Sequence, residues 1–111
     1  MLSKVNRLKG KINFDLIFKK GEKKYSPYFV VYRYLNPANT GLAAQIGIVT
    51  SKKVGGAVQR NRARRKISAA LININLLTNL TPGFQYVIIA LKGVSAVEVN
   101  LLQASLSTML K

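Results

Sequence analysis

The sequence predicts a single compact α+β domain, and three observations lead to this fold class. The chain has 111 residues, the length of one domain, and 49% of them are apolar, enough for a hydrophobic core. Apolar residues recur at helical spacing near the start, in the middle and at the end of the chain. Strand-like segments lie between these regions. The order is helix, strands, helix, strand, helix, with no repeat and no linker, so we expect residues 1–111 to form one domain.

The first predicted element is a short helix over Lys11–Lys20. Phe14, Ile17 and Phe18 fall on one face at spacings of three and four residues, and Gly21 follows as a stop signal. Other apolar residues of the segment fall on a second face. The helix is therefore expected to lie between the core and something else.

Two strands are predicted next. The segment Tyr28–Leu35 alternates in the manner of a strand. A turn-forming segment, residues 36–41, separates it from a second strand over residues 42–50, so the two are expected to form a hairpin. Residues Lys24–Ser26 are a candidate for a short additional pairing segment. On the first strand, alternation places four residues on one face: Tyr28, Val30, Tyr32 and Tyr34.

The second half of the chain predicts a helix, a strand and a helix. The second helix covers residues 57–74, and its core face carries Ala63, Ile67, Ala70, Leu71 and Ile74. The third long strand covers Phe84–Lys92 and is apolar enough to be buried on both faces. Ser95 and Glu98 have the spacing of a capping box. The last helix follows with an apolar stripe of Val99, Leu102, Leu106 and Met109.

Positive charge dominates the chain. It has 18 Lys and Arg against 3 acidic residues, a formal net charge of +15, and such a surplus indicates a polyanionic partner. Seven of the basic residues lie within residues 51–66, which contain no acid. Gly55 and Gly56 divide this segment just before the second helix, so a cationic helix start is expected on the surface, suited to a phosphate backbone.

Eight residues of this segment are the predicted contacts to the phosphate backbone of a nucleic acid. Arginine is favoured there because its planar fork binds phosphate through two hydrogen bonds. On a helical wheel Arg62, Arg65 and Lys66 lie roughly opposite the core face. Asn61 either contacts the nucleic acid or braces a neighbour, and the sequence leaves both open. The full set is Lys52, Lys53, Arg60, Asn61, Arg62, Arg64, Arg65 and Lys66.

The composition excludes most protein-borne catalytic chemistry. The chain has no His and no Cys, and its acids are the isolated Asp15, Glu22 and Glu98. Paired acid–base catalysis and a dedicated metal cage are therefore not expected, and no catalytic or metal-binding residue is predicted. The longest apolar run, Val87–Leu91, is too short to span a bilayer. We accordingly expect a soluble intracellular protein.

Residues 51–65, SKKVGGAVQRNRARR, closely resemble the signature of the bacterial ribonuclease P protein family, which is built around Arg-Asn-Arg. The resemblance extends in the right order over nearly the whole chain, through Arg7-Leu8-Lys9, the pair Phe14 and Phe18 before Gly21, Phe29–Tyr32 and Tyr86–Ala90. The chain departs from the family pattern at Gly56, Ser68 and Lys92. The first of these is expected to loosen the helix start.

The resemblance implies a fold and a division of labour. The fold would be a mixed sheet with an uncommon left-handed strand–helix–strand crossover. The arginine-rich helix would dock on a catalytic RNA, one protein to one RNA. That RNA would hold the catalytic centre and its Mg²⁺ ions, so no cofactor is expected on the protein. The expected partners are ribonuclease P RNA and precursor tRNA, not DNA or a membrane, in the bacterial cytoplasm.

The resemblance also implies that a cleft between the first helix and the sheet guides the 5′ leader of precursor tRNA. Aromatic side chains suit such a cleft because they stack on unpaired bases. From the residues alone, ordinary core packing is the alternative for each of them. The candidate leader-binding residues are Phe14, Phe18, Tyr28, Tyr32 and Tyr34.

The predicted function is that of a ribonuclease P protein subunit, which assists hydrolytic removal of the 5′ leader. One alternative is a ribosomal or other structural RNA-binding protein, which needs the basic charge but not the aromatic cleft. Another is a basic protein at anionic membrane surfaces. That protein would need a helix with a broad exposed apolar face, whereas the second helix has a narrow core stripe.

Overall fold

The structure is a computed structural model, and it describes residues 8, 10–37, 44–73 and 83–110. Within these ranges the chain forms three helices, four strands and a short 3₁₀ helix. In order they are α1 (Lys11–Lys20), β1 (Glu22–Tyr25), β2 (Phe29–Leu35), β3 (Gln45–Val49), α2 (Ala57–Asn73), β4 (Phe84–Ala90), the 3₁₀ helix (Val94–Ala96) and α3 (Val99–Met109). This confirms the predicted α+β class.

The four strands form one mixed sheet in the order β1-β2-β4-β3. Strand β2 is antiparallel to both β1 and β4, and β3 is parallel to β4. The predicted hairpin between β2 and β3 was therefore wrong, because β4 lies between them. Strand β4 is apolar on both faces, so it needs a central position, where layers on both sides of the sheet can cover it. The expected pairing segment before β2 is confirmed as β1.

The parallel strands β3 and β4 are joined by α2, which gives the strand–helix–strand unit that the resemblance implied. The left-handedness of this crossover stays a prediction from the family. Strand β4 is shorter than predicted and ends at Ala90, while β2 begins one residue later than predicted, at Phe29. Residues 42–43 and most of the predicted turn over 36–41 lie outside the described residues.

Helices α2 and α3 cover one face of the sheet and form the larger core. The predicted α2 stripe is buried at its four described members, Ala63, Ile67, Ala70 and Leu71; Ile74 lies outside the described residues. The α3 stripe is confirmed as well, with Val99 half-buried and the other three residues buried. These helices pack against side chains from the three longest strands: Phe29, Val31, Ile46, Tyr86 and Ile88.

The predicted capping box at Ser95 and Glu98 was wrong. Ser95 lies inside the 3₁₀ helix, and Glu98 is the N-cap residue of α3 without a side-chain capping hydrogen bond. The 3₁₀ turn explains the difference. It is closed by backbone hydrogen bonds, such as that from the Val97 N–H to the Val94 carbonyl at 3.1 Å, so Ser95 is not at a helix start.

Helix α1 packs on the opposite face of the sheet and forms a smaller core. Ile17 and Val87 are fully buried there together with Leu8. The Leu8 N–H donates to the Ile46 carbonyl on β3 at 3.0 Å, so the segment before α1 is attached to this outer strand. Gly21 ends α1 as predicted, and its N–H donates to the Ile17 carbonyl at 2.8 Å.

A glycine on β3 sets how closely α1 approaches the sheet. A Cβ atom built on Gly47 would lie 2.5 Å from Cζ of Phe14 and 3.2 Å from Cδ2 of Leu8. Such a contact is well inside van der Waals distance, so Phe14 seats against bare backbone. The position of α1, and of every side chain that it carries toward the sheet, follows from this contact.

Gly47→Ala should therefore destabilise the protein by about 1–3 kcal/mol, the usual cost of overpacking a core. In a Phe14→Leu background the same change should cost much less, since the ring that clashes is gone and alanine restricts the unfolded chain. Urea denaturation of the four proteins of this double-mutant cycle measures the coupling. A Gly47→Ala protein as stable as wild type would show that Phe14 does not set the spacing.

Candidate nucleic-acid interface

The start of α2 presents the basic segment to solvent. The carbonyl of Gly56 accepts a hydrogen bond from the Arg60 N–H at 2.9 Å, which places Gly56 at the N-cap. Gly55 has a φ of 140°, a backbone conformation that L side chains rarely adopt. Arg62 and Arg65 are exposed, as predicted, and Arg60 is half-buried. The partial positive charge of the helix start adds to that of these arginines.

Arg64 is held in place by two side chains. Its Nη1 donates to Oδ1 of Asn61 at 3.3 Å, and its Nη2 donates to Oγ1 of Thr50 at 2.9 Å. Of the two roles left open for Asn61, the structure therefore shows the local brace. Because Thr50 follows β3 directly, this guanidinium is tied to the sheet while it stays exposed. A cation held in this way loses less rotamer freedom when it binds a phosphate.

Lys66 does not lie opposite the core, and its predicted placement beside Arg62 and Arg65 was wrong. Its side chain is half-buried, and its Nζ donates to the backbone carbonyls of Ser95 at 2.8 Å and Val97 at 2.9 Å. The lysine thereby holds α2 against the segment that leads into α3. A helical wheel of α2 could not show this, because the acceptors belong to a segment 29 residues or more away.

Lys52 and Lys53 lie in the tight turn that precedes α2, and both are exposed. The turn is closed by the Val54 N–H, which donates to the Ser51 carbonyl at 3.0 Å, and Val54 itself is buried. Two cations are thus carried on a fixed backbone next to the helix start.

Lys53 also lines a depression of about 760 Å³ at the ends of β3 and β4. A second lysine, Lys92, lines the same depression, and its remaining lining is Ser51, Ile89, Ala90 and Leu91. Sequence reasoning noted Lys92 only as a departure from the family pattern and missed its place at this site. A signal was present, because a basic residue at the carboxyl end of a central strand is placed beside the loop that follows the neighbouring parallel strand.

The aromatic residues on the α1 side of the sheet divide into packed and exposed members. Phe14 is half-buried against the small core. Phe18 is 39% exposed, and its ring meets that of Tyr32 edge to face, with centroids 5.0 Å apart and an interplanar angle of 86°. Tyr34 is half-buried on the same face. The structure therefore brings four of the five candidate leader-binding residues together.

Tyr28 does not join them, and its predicted place on the same face as Tyr32 was wrong. Its ring packs against the larger core on the other side of the sheet, next to Phe29. Strand alternation does not reach this residue because the chain turns before β2. Oγ of Ser26 accepts hydrogen bonds from the N–H groups of Tyr28 at 3.2 Å and Phe29 at 3.0 Å.

A chain of side-chain amides crosses the sheet beside Tyr34. Nδ2 of Asn36 donates to Oε1 of Gln85 at 3.0 Å, and Nε2 of Gln85 donates to Oε1 of Gln45 at 2.9 Å. Asn36 and Gln85 are buried. These bonds link the end of β2 to β4 and β3, and they fix the register of the row that contains Tyr34. Sequence reasoning missed them, since isolated amide side chains carry no positional signal.

The acidic residues are scattered over the described part of the chain. Oε2 of Glu22 accepts a hydrogen bond from Nη2 of Arg33 at 3.1 Å, while Asp15 and Glu98 are exposed on other elements. Among the residues that the structure describes, no three His, Cys, Asp or Glu side chains come together as a metal site would require. In the same residues no helix is both long enough and apolar enough to cross a membrane.

The chain is similar to known proteins over nearly its full length. The family described as Ribonuclease P matches residues 2–111. The ribonuclease P protein component of Streptococcus pyogenes serotype M5 is 34% identical over 110 residues, which cover 99% of this chain and 87% of that protein. That of Nitratiruptor sp. is 47% identical over 68 residues, which cover 61% of this chain and 58% of that protein.

Solved structures agree with this result. The ribonuclease P protein from Thermotoga maritima superposes with a TM-score of 0.78 at 29% identity, covering 95% of this chain and 94% of that one. The Staphylococcus aureus protein superposes with a TM-score of 0.76 at 28% identity, covering 95% and 92%.

Proposed function

The chain belongs to the ribonuclease P protein family and is thus a subunit of an endoribonuclease, and we propose how it serves that holoenzyme. Helix α2 docks on the catalytic RNA, and the sheet face beside α1 holds the 5′ leader of precursor tRNA. The observation that carries this proposal is the placement of exposed arginines on one surface and, on another, of the exposed Phe18 ring against the half-buried ring of Tyr32. One surface suits phosphates and the other suits unpaired bases.

The docking surface consists of six cationic side chains that contact RNA, and Lys66 supports it from within the protein. Arg60, Arg62 and Arg65 contact phosphates of the RNA, and Lys52 and Lys53 add charge from the turn before the helix. Arg64 contacts RNA in the orientation that Asn61 and Thr50 give it. Lys66 acts by holding α2 to the segment before α3. We expect one protein to bind one RNA.

The leader lies across the sheet beside α1. Phe18 and Tyr32 stack on bases, and Tyr34 extends the same face, while Phe14 sets the position of α1. Lys92 provides a phosphate contact at the depression at the ends of β3 and β4, which Lys53 of the docking surface also lines. A structural RNA-binding protein would need the arginines alone, so the contact between the exposed Phe18 and Tyr32 favours a subunit that also holds single-stranded substrate.

The chemistry belongs to the RNA subunit in this proposal, and so do the Mg²⁺ ions. The protein contributes binding and charge. Hydrolysis of a phosphodiester by a protein site needs groups that activate water or hold metal ions, and this chain has neither His nor Cys and only three acids. The substrate is precursor tRNA, and DNA and membranes are not partners.

Replacing Arg62 and Arg65 together by Ala should weaken binding to ribonuclease P RNA and reduce its salt dependence. Each lost phosphate contact lowers the slope of log K against log salt by up to about one unit. A titration of RNA with protein at several salt concentrations measures both effects. Lys19→Ala with Lys20→Ala removes the same charge from α1 and should change the slope less.

Lys66→Ala distinguishes an effect on RNA docking from an effect on protein stability, when the salt titration is combined with a measurement of unfolding. It should lower the free energy of unfolding by about 1 kcal/mol, because two backbone carbonyls lose a charged partner in a half-exposed setting. Its salt slope should stay near that of wild type. A slope unchanged in the Arg62 and Arg65 variant, or lowered most by the Lys66 change, would contradict the assigned docking surface.

Tyr32→Ala should weaken binding of precursor tRNA to the holoenzyme and leave mature tRNA almost unaffected, because only the precursor has a leader. Loss of one stacked base is worth about 1–3 kcal/mol. Equilibrium binding of the two tRNA forms measures the difference. Tyr28→Ala is the control, since its ring packs on the other side of the sheet and should affect stability alone. Equal losses for both tRNA forms with Tyr32→Ala would indicate a packing role.

The triple variant with Asp15→Asn, Glu22→Gln and Glu98→Gln should preserve cleavage by the holoenzyme. The change at Glu22 removes one exposed ion pair with Arg33, which contributes little. Precursor cleavage is measured across a Mg²⁺ series, with RNA alone and with each protein. Wild type and variant should lower the required Mg²⁺ alike, and protein alone should not cleave. A folded, RNA-binding variant without cleavage would place a catalytic carboxylate on the protein.

A further inference from the structure

Strand β1 is an outer strand of the sheet, and its four residues are all exposed. Its last residue, Tyr25, is 69% exposed, which leaves most of a large aromatic ring in solvent. The register pairs Tyr25 with Val30 and Lys23 with Tyr32. Directly paired residues share a face of the sheet, so Lys23 and Tyr25 lie on the same face as Tyr32.

The ammonium group of Lys23 connects the two tyrosines. Its Nζ lies 4.9 Å from the ring centroid of Tyr25 and 5.4 Å from that of Tyr32. Hydrogen bonding to the Tyr25 hydroxyl, and then to that of Tyr32, raises the pKa of Lys23. With the Phe18–Tyr32 contact, this makes a row of aromatic and cationic groups that leads from α1 to the outer edge of the sheet.

A second row leads from the same edge toward the docking helix. Residues paired across the sheet run from Tyr25 through Val30 and Ile89 to Val49. Ile89 also lines the depression that contains Lys53 and Lys92, and β3 continues into the turn before α2. Tyr25 therefore lies at the far end of this face from the surface that we assign to the catalytic RNA.

We propose that Tyr25 and Lys23 form a further binding position for single-stranded RNA, taking a leader nucleotide more distant from the cleavage site than the one on Tyr32. The Tyr25 ring stacks on the unpaired base. Lys23, which is exposed, turns to the phosphate that joins this base to the one on Tyr32. This inference rests on the proposed function, since it assumes that the leader crosses this face.

Charge favours RNA over a protein strand as the occupant of this edge. Lys23 and Lys24 are consecutive residues of β1, and lysines on an edge strand oppose pairing with another chain. The chain as a whole has a net charge of +15. Base stacking also tolerates any sequence, because every base has a flat π face. The position should therefore extend the bound length of the leader without selecting particular bases.

Binding of precursor tRNAs whose leaders are lengthened one nucleotide at a time tests the proposal in the holoenzyme. Tyr25→Ala should weaken binding about 5-fold, the low end of the effect of one stacked base. The loss should appear only beyond a leader length longer than the one at which Tyr32→Ala first has an effect. Tyr25→Phe should bind like wild type, because the ring remains, and Tyr25→Leu should bind like Tyr25→Ala.

Leu35→Ala is the matched control. Leu35 is 55% exposed at the end of β2, and its place in the alternation puts it on the other face of the sheet. It should bind every leader like wild type. A wild-type measurement adds to the variants: a leader with a single 4-thiouridine should crosslink to the Tyr25 segment at one defined position.

Three results would overturn the proposal. In the first, Tyr25→Ala binds precursors with long leaders like wild type. In the second, Tyr25→Ala weakens the binding of mature tRNA as much as that of precursor tRNA. In the third, Tyr25→Leu binds long leaders like wild type. In each case the Tyr32→Ala series decides whether the leader crosses this face at all. If Tyr32→Ala lowers precursor binding and Tyr25→Ala does not, only the further position is wrong. If neither has an effect, the proposed leader face is wrong as well.

Discussion

The double burial of β4 is the constraint on which the rest of the structure depends. Its interior residues are apolar on both faces from Tyr86 to Ile89, so each face must be covered by another layer. Helices α2 and α3 cover one face and α1 covers the other. A three-layer arrangement with β4 in the middle satisfies this requirement, and it separates the two candidate surfaces. The arginines belong to one covering layer, whereas the aromatic pair lies where the other layer, α1, meets the sheet, with Phe18 on α1 and Tyr32 on β2.

Repulsion among cations limits how such a surface can be built. With three acids in the chain, most of the basic residues have no carboxylate to pair with. Several are instead stabilised by neutral groups: Lys66 by two carbonyls, Arg64 by an amide and a hydroxyl, Lys23 by two tyrosines. Neutral partners hold a cation in place without cancelling its charge. The field that attracts RNA is therefore kept while the side chains are ordered.

Most of the fold could be predicted from periodicity, and the errors have identifiable causes. The stripes of α2 and α3 were visible because each helix buries a single face. The hairpin was not, because strand order depends on which strand needs two covered faces, and local sequence favours the nearest neighbour in the chain. Tyr28 was misplaced because a Ser26 turn interrupts the alternation one residue before the strand. In the site, the positions of Arg62 and Arg65 followed from the helical wheel, whereas the roles of Lys66 and Lys92 depended on segments distant in sequence.

The basic residues of α2 should not act alike, because they differ in exposure and in the hydrogen bonds that hold them to distant segments. Arg62 and Arg65 are exposed, so a phosphate gains their full charge but must order two long side chains. Arg64 is already held by Asn61 and Thr50. In the proposed docking it would therefore lose less freedom on binding and would fix the angle at which RNA meets the helix. The ammonium group of Lys66 already donates hydrogen bonds to the carbonyls of Ser95 and Val97. In the proposed docking, the charge density along the helix would therefore set the strength of the attraction for RNA, while the hydrogen bonds within the protein would decide which cations also set its orientation.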